Sequence, residues 1–87
     1  MKSKTTPRFW ARFNQLPHHI QRQGYLAYDQ FKKDPYISAL HFKRLKASSL
    51  YSVRINDDYR ALGVRDGNTI TWLWIGTHAE YEKLISK

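Results

Sequence analysis

The stretch LYSVRINDDYRALGVRDGNTITWLWIGTHAEYEKLI, from Leu50 to Ile85, decides the fold. It opens in alternation, with Tyr51, Val53 and Ile55 on one face of a strand and Ser52 and Arg54 on the other. Asn56-Asp57-Asp58 reads as a turn, and YRALGVR (Tyr59 to Arg65) as a second strand. Ala61 and Gly63 in that strand are small enough to let a helix approach closely. Asp66-Gly67-Asn68 is a hairpin signal, because tight hairpin turns need a residue that accepts positive φ. TITWLWIG (Thr69 to Gly76) is rich in β-branched and aromatic residues and predicts a third strand. Then the period changes. Thr77 followed by Glu80 has the spacing of a capping box, so a last helix should start at His78. The stretch predicts a three-stranded antiparallel meander and a short C-terminal helix.

Upstream, the apolar residues recur at helical spacing. Thr6-Pro7 is a helix start, and Phe9, Trp10, Phe13 and Leu16 follow it. Pro17 ends this helix and opens a second, with Ile20, Ala27 and Phe31 on one stripe and Gly24 beside them where close packing is allowed. Asp34-Pro35 stops it. The expected fold class is α+β: one domain over residues 1–87, a helical hairpin on one face of a small antiparallel sheet of three to four strands. The other face should stay open, with Arg54 pointing to it. Tyr36 to Ser49 reads as a basic connector with room for one short strand.

An 87-residue chain buries only about 60–65% of the surface it exposes when unfolded, so a partner covering an apolar face would stabilise it. With no cysteine, disulfides and thiolate metal sites are excluded. His18 and His19 are adjacent and point to different sides of a helix, and His41 and His78 add no ligand spacing, so neither a metal nor another cofactor is expected. The formal charge of +8, from 15 Lys and Arg against 7 Asp and Glu, fits a polyanion partner, nucleic acid or acidic protein. No apolar signal segment follows Met1, and the run WLWI is too short to span a bilayer. No membrane role is expected, and the cytoplasm is the default location.

The chemistry-bearing residues gather near the last helix. Capping by Thr77 places His78 and Tyr81 in its first turn, three positions apart and therefore neighbours. Free N–H groups at a helix N-terminus suit an anion, and histidine exchanges protons near neutrality. The plainer reading makes His78 a surface residue and Tyr81 part of an apolar stripe with Leu84 and Ile85. Arg54 and Arg60 lie on strands joined by a short turn, so they should pair. Either they lie on a solvated face or, with His78 and Tyr81, they form a group able to hold a phosphate and stabilise charge built up during its transfer.

These elements together resemble the RelE/ParE toxin superfamily. The resemblance runs from about Leu16 to Lys87. It rests on the strand LYSVRI, the strand YRAL, the hairpin, the strand ending in Gly76, and a His shortly before a Tyr. The first half adds a Leu-Pro helix start, a helix ending at Asp-Pro, and the connector ALHFKRL. What the resemblance implies is the toxin of a type II toxin–antitoxin module, of the RelE-like kind: a metal-independent endoribonuclease that cuts messenger RNA on the ribosome. By the same resemblance, Arg60 holds the scissile phosphate, Arg54 contacts or activates the reacting group, His78 falls near the basic or His position, and Tyr81 stacks on or orients a nucleotide. Lys43, Arg44, Lys46 and Arg65 are the candidates for further RNA contacts. The implied partners are a cognate antitoxin, through an acidic or amphipathic segment, and the ribosome with its message. Two departures are visible: Ser52 stands at a position that is basic in RelE, and the chain is expected to begin directly with a helix, without an N-terminal strand. The alternatives are a ParE-like inhibitor of DNA gyrase and a non-catalytic, antitoxin-binding member of the fold.

Overall fold

The computed structural model describes residues 1–46 and 48–86. Ala47, within the expected basic connector, and Lys87, at the end of the expected domain, lie outside the described residues. The elements in order are β1 (Lys2–Thr5), α1 (Pro7–Phe13), α2 (His18–Lys33), a 3-10 turn (Ser38–Leu40), β2 (Lys43–Arg44), β3 (Leu50–Arg54), β4 (Tyr59–Asp66), β5 (Thr69–Thr77) and α3 (His78–Ile85). The sheet has the order β1-β5-β4-β3-β2, with β1 parallel to β5 and the other pairs antiparallel.

The α+β class and the central meander are as expected, but the sheet has five strands rather than three to four. The expected start on a helix is corrected: Lys2–Thr5 is an edge strand. Lys-Ser-Lys-Thr carries no apolar signal. Its place comes from the backbone ladder with β5 and from Trp72, whose indole Nε1 donates to Ser3 Oγ at 3.0 Å. Its exposed lysines also blunt the edge against pairing with other chains.

The helices form as their caps dictate. Thr6 Oγ1 accepts from Phe9 N at 3.1 Å and donates to the Trp72 carbonyl at 3.0 Å, fastening α1 to β5. Pro17 is the N-cap of α2. A Cβ on Gly24 would stand 3.0 Å from the Phe13 ring, so glycine is what lets α1 and α2 touch. Phe9, Phe13, Ala27 and Phe31 then pack on Val53, Ala61, Ile70, Trp72 and Ile75 of the sheet.

Gly63 serves a different neighbour from the one expected. A Cβ there would come within 2.9 Å of Trp72 and 3.0 Å of Ile70, so strand β5, not a helix, fills its space. The cause is an irregularity between Leu62 and Gly63. Leu62 pairs with Trp74 and Gly63 with Trp72, which leaves Leu73 as the extra residue of a bulge. The bulge reverses the alternation of β5, so Trp72 and Ile75, of unlike parity, both enter the core. Gly67, at φ 60°, turns the β4–β5 hairpin as anticipated.

The second face of the sheet is not left open. Helix α3 closes one end of it with Tyr81, which is 3% exposed, and Ser52 on that face is 2% exposed. Among the described residues no helix is long and apolar enough to cross a membrane.

Candidate functional site

Residues separated in sequence meet in one hollow of about 130 Å³ on this second face. It is lined by His41, Lys43, Ser52, Arg54, Arg60, His78, Tyr81, Glu82 and Ile85. Strand register explains the gathering. Arg54 on β3 is directly opposite Arg60 on β4, and Ser52 is opposite both Lys43 on β2 and Leu62 on β4. Arg54, Arg60, Ser52 and Lys43 therefore stand on one face. Lys43, from the neighbouring strand, places a cation directly beside Ser52.

Two arginines directly opposite each other on paired strands repel. The β3–β4 turn absorbs part of this. Arg54 Nη2 donates to Asp57 Oδ1, and Nη1 to the Ala39 carbonyl at 3.5 Å. Arg60 Nη1 donates to the carbonyls of Asn56 at 2.5 Å and Tyr59 at 2.9 Å. The turn is shaped by Asn56 Oδ1, which accepts from Asp58 N and Tyr59 N at 2.8 and 2.9 Å. The Arg54 guanidinium, hydrogen-bonded to Asp57, holds that carboxyl below its usual value. Within the hollow, Lys43, Arg54 and Arg60 face the single carboxylate of Glu82, so its field favours an anion.

Helix α3 delivers the other two residues. Its capping box is complete: Thr77 Oγ1 accepts from Glu80 N at 3.1 Å, and Glu80 Oε1 accepts from Thr77 N at 2.9 Å. Glu80 also meets Arg12 at 3.3 Å, and Arg12 Nε donates to the Ile75 carbonyl at 2.7 Å. The Thr77 hydrogen bonds, backbone first, with Arg12 adding to them, hold the Glu80 carboxyl below its usual value. His78 N donates to the Asp58 carbonyl at 2.6 Å, which pins the helix start to the turn carrying the arginines.

The His78 side chain is 44% exposed and its Nε2 lies 3.0 Å from Glu82 Oε1. The ring stacks on Tyr81, centroids 5.9 Å apart and planes 29° from parallel. Tyr81 is thus a wall of the hollow and the anchor of α3. A nucleotide could stack on it only where His78 moves aside.

The four residues proposed for catalysis, Arg54, Arg60, His78 and Tyr81, come together. The four proposed for RNA contacts do not. Lys43 lines this hollow, whereas Arg44 and Arg65 line a separate one with Tyr51. Lys46, exposed and at φ 48°, lines neither. His41 was not singled out for chemistry. It enters the hollow because it ends the 3-10 turn at φ 46°, a conformation that no motif signals. Glu82 was missed too, although its spacing from His78 is the ordinary helical i, i+4. Among the described residues no group of three or more His, Cys, Asp or Glu is placed to hold a metal ion.

This fold is that of the RelE/ParE toxins. The RelB–RelE antitoxin–toxin complex of Methanococcus jannaschii contains a chain that superposes with TM-score 0.74 at 17% identity, covering 93% of this chain and 96% of that one. The archaeal RelE–RelB complex of Pyrococcus horikoshii OT3 gives 0.71 at 18%, covering 87% and 92%. YafQ from E. coli strain BL21(DE3) gives 0.72 at 9%, covering 92% and 96%. No curated protein sequence matches significantly. The model of the ParE-like toxin domain matches residues 18–83, and the chain belongs to that family.

Proposed function

We infer that the protein is the toxin of a type II toxin–antitoxin module and acts as a RelE-like, ribosome-dependent endoribonuclease on messenger RNA. The observation that carries this reading is the convergence of Arg54, Arg60, Lys43, His78 and His41 on one hollow. RNA brings its own nucleophile, the 2′-OH. A base takes its proton, the oxygen attacks the adjacent phosphorus, and the 5′-oxygen leaves with a proton from an acid. The products are a 2′,3′-cyclic phosphate and a free 5′-OH, and DNA, lacking the 2′-OH, is not cut. Arg60 and Arg54 hold the phosphate and stabilise the charge that grows on it. His78, the exposed imidazole beside them, transfers a proton. Tyr81 holds His78 in place by the ring stack.

The partner reading rests on the relatives. The M. jannaschii and P. horikoshii chains are named as RelE bound to RelB. An acidic or amphipathic antitoxin segment is the corresponding partner here, and its binding should raise the melting temperature and weaken with salt.

The matched family model is described as ParE-like, and this favours gyrase inhibition as the second reading. One induction experiment separates the two. Cleavage predicts shortened messages with cyclic-phosphate ends and arrested translation, abolished by Arg60→Ala in a protein that still folds. Gyrase inhibition predicts intact messages and a DNA-damage response. An Arg60→Ala protein that folds and remains as toxic as the parent would refute the ribonuclease reading.

A further inference from the structure

Lys43 and Arg44 are consecutive, yet they face opposite ways. Lys43 is opposite Ser52, on the face of the hollow described above, and Arg44 is opposite Tyr51, on the other face. Arg65 shares the face of Tyr51, since it lies two residues beyond Gly63, the partner of Tyr51. Arg44, Arg65, Tyr51, Ser48, Ser49 and Gly67 line an open hollow of about 460 Å³ there.

Arg65 is held ready rather than solvated loosely. Its Nε donates to the Gly67 carbonyl at 3.0 Å and Nη1 to the Tyr36 hydroxyl at 3.4 Å. The guanidinium carbon lies 5.4 Å from the centroid of the Tyr51 ring. Tyr36, Phe42 and Tyr51 continue this as a ladder of rings, with centroids 5.8 and 5.1 Å apart. Tyr51 also interacts with the guanidinium, and among the described residues the geometry gives the fork no hydrogen bonds beyond those to Gly67 and Tyr36. Among the described residues no carboxylate lies within ion-pair distance of either arginine. Two cations beside an aromatic face are the elements of a site for single-stranded nucleic acid, in which phosphates take the charges and bases the rings.

β2 is the edge of the sheet opposite β1, and it is only two residues long. A strand of RNA leaving the first hollow at Lys43 therefore reaches Arg44 by rounding this edge. We propose that Arg44, Arg65 and Tyr51 form a second RNA site, which takes the phosphate backbone of the same single strand after it has wrapped around β2. This rests on the ribonuclease reading for the identity of the ligand, but its test does not require cleavage.

The probes are 2′-O-methyl RNA oligomers, which bind but cannot be cut: a dodecamer long enough to round the edge and a dinucleotide that is not. For a single strand, log K falls with log[salt] at about 0.7 per phosphate neutralised. Replacing both arginines (Arg44→Gln with Arg65→Gln) should flatten the dodecamer slope by about 1.4 and leave the dinucleotide slope unchanged. Arg44→Gln alone, which leaves the Tyr36–Arg65–Tyr51 contacts intact, should flatten it by about 0.7. Arg65→Lys keeps the charge and should retain the slope. An unchanged dodecamer slope in folded Arg44→Gln protein would overturn the proposal. So would a loss of polyglutamate binding with RNA binding unchanged, which would mark the face as an acidic-peptide site. Cleavage of unmodified message on ribosomes by the parent protein is scored separately, so a failure of the ribonuclease reading and a failure of this site give different results.

Discussion

Replacing Thr77 by Ala tests whether the capping box positions the chemistry. The substitution removes the hydroxyl that accepts from Glu80 N at 3.1 Å and donates to Glu80 Oε1 at 3.0 Å. It leaves the bond from Thr77 N to Glu80, which is backbone in origin. Loss of a threonine N-cap costs about 1 kcal/mol. In a domain of this size that lowers Tm by about 4–8 °C. The helix spans only His78–Ile85, too short to be stable alone, so weakening its first turn falls on His78 and its link to Asp58. Cleavage should then fall by more than the small change in folded population explains. The assay pairs thermal melting with single-turnover cleavage at a temperature where both proteins are folded.

Glu80→Gln completes a double-mutant cycle, because the two side chains act as one unit and their effects should not add. A pH arm follows from the Glu80 carboxyl, which the fold holds below its ordinary value of 4.5. A depressed carboxyl contributes stability that is present above the unfolded value and lost as pH falls through the lower folded value. The stability gap between parent and Glu80→Gln should therefore narrow on acidification below about pH 4.5. If Thr77→Ala melts within 1 °C of the parent and cleaves at the parent rate, the cap neither stabilises α3 nor positions His78, and the reasoning fails.

Gly63→Ala should destabilise by about 1–3 kcal/mol in urea titrations, because its methyl would meet Trp72, Ile70 and the Thr71 carbonyl at 3.0 Å or less; a neutral result would mean that the bulge relaxes freely. His78→Gln should melt like the parent yet cleave about 100-fold or more slowly in a ribosome-containing assay, the loss typical of a proton-transfer group. Tyr81→Phe should keep stability near that of the parent, whereas Tyr81→Ala should cost about 3–5 kcal/mol in chemical denaturation, because the ring is buried. Inorganic phosphate should raise Tm in a concentration-dependent way in the parent and much less in Arg60→Ala, as calorimetry can read directly.

The parts legible in the sequence are those in which local chemistry and tertiary need agree. The caps at Thr6 and Thr77, the Gly67 turn and the alternation of Tyr51, Val53 and Ile55 each carry a signal of their own, and the structure uses them as read. Three features were not legible. Strand β1 is polar throughout and exists because β5 offers it a backbone ladder. The bulge at Leu73 sits in a run whose every residue suits a strand, so nothing in composition marks the reversal of faces. Ser52 is buried on the second face, between β2 and β4, which alternation alone cannot report. For the candidate site, the arginines and His78 were singled out because their types suit phosphate chemistry, and they line one hollow. His41 was not, because it reaches the hollow through a single left-handed residue in an irregular connector.

Placing Arg54 opposite Arg60 helps neither strand pairing nor the core. A carboxylate at either position would give a favourable cross-strand pair. The chain instead keeps both cations and commits Asp57, Asn56 and backbone carbonyls of the turn to steadying them. Lys43 is added from the next strand, and only Glu82 opposes them within the hollow. The side chain opposite Lys43 is the small Ser52, which leaves room above it. An arrangement that forgoes stability to concentrate positive charge around an empty space is accounted for once an anion enters that space. A phosphodiester there would interact with both guanidiniums while His78, pinned to the same turn, stands beside it. The β3–β4 turn thus fixes in one short segment the spacing between the two arginines and His78, the groups to which the proposed reaction assigns the phosphate and the proton.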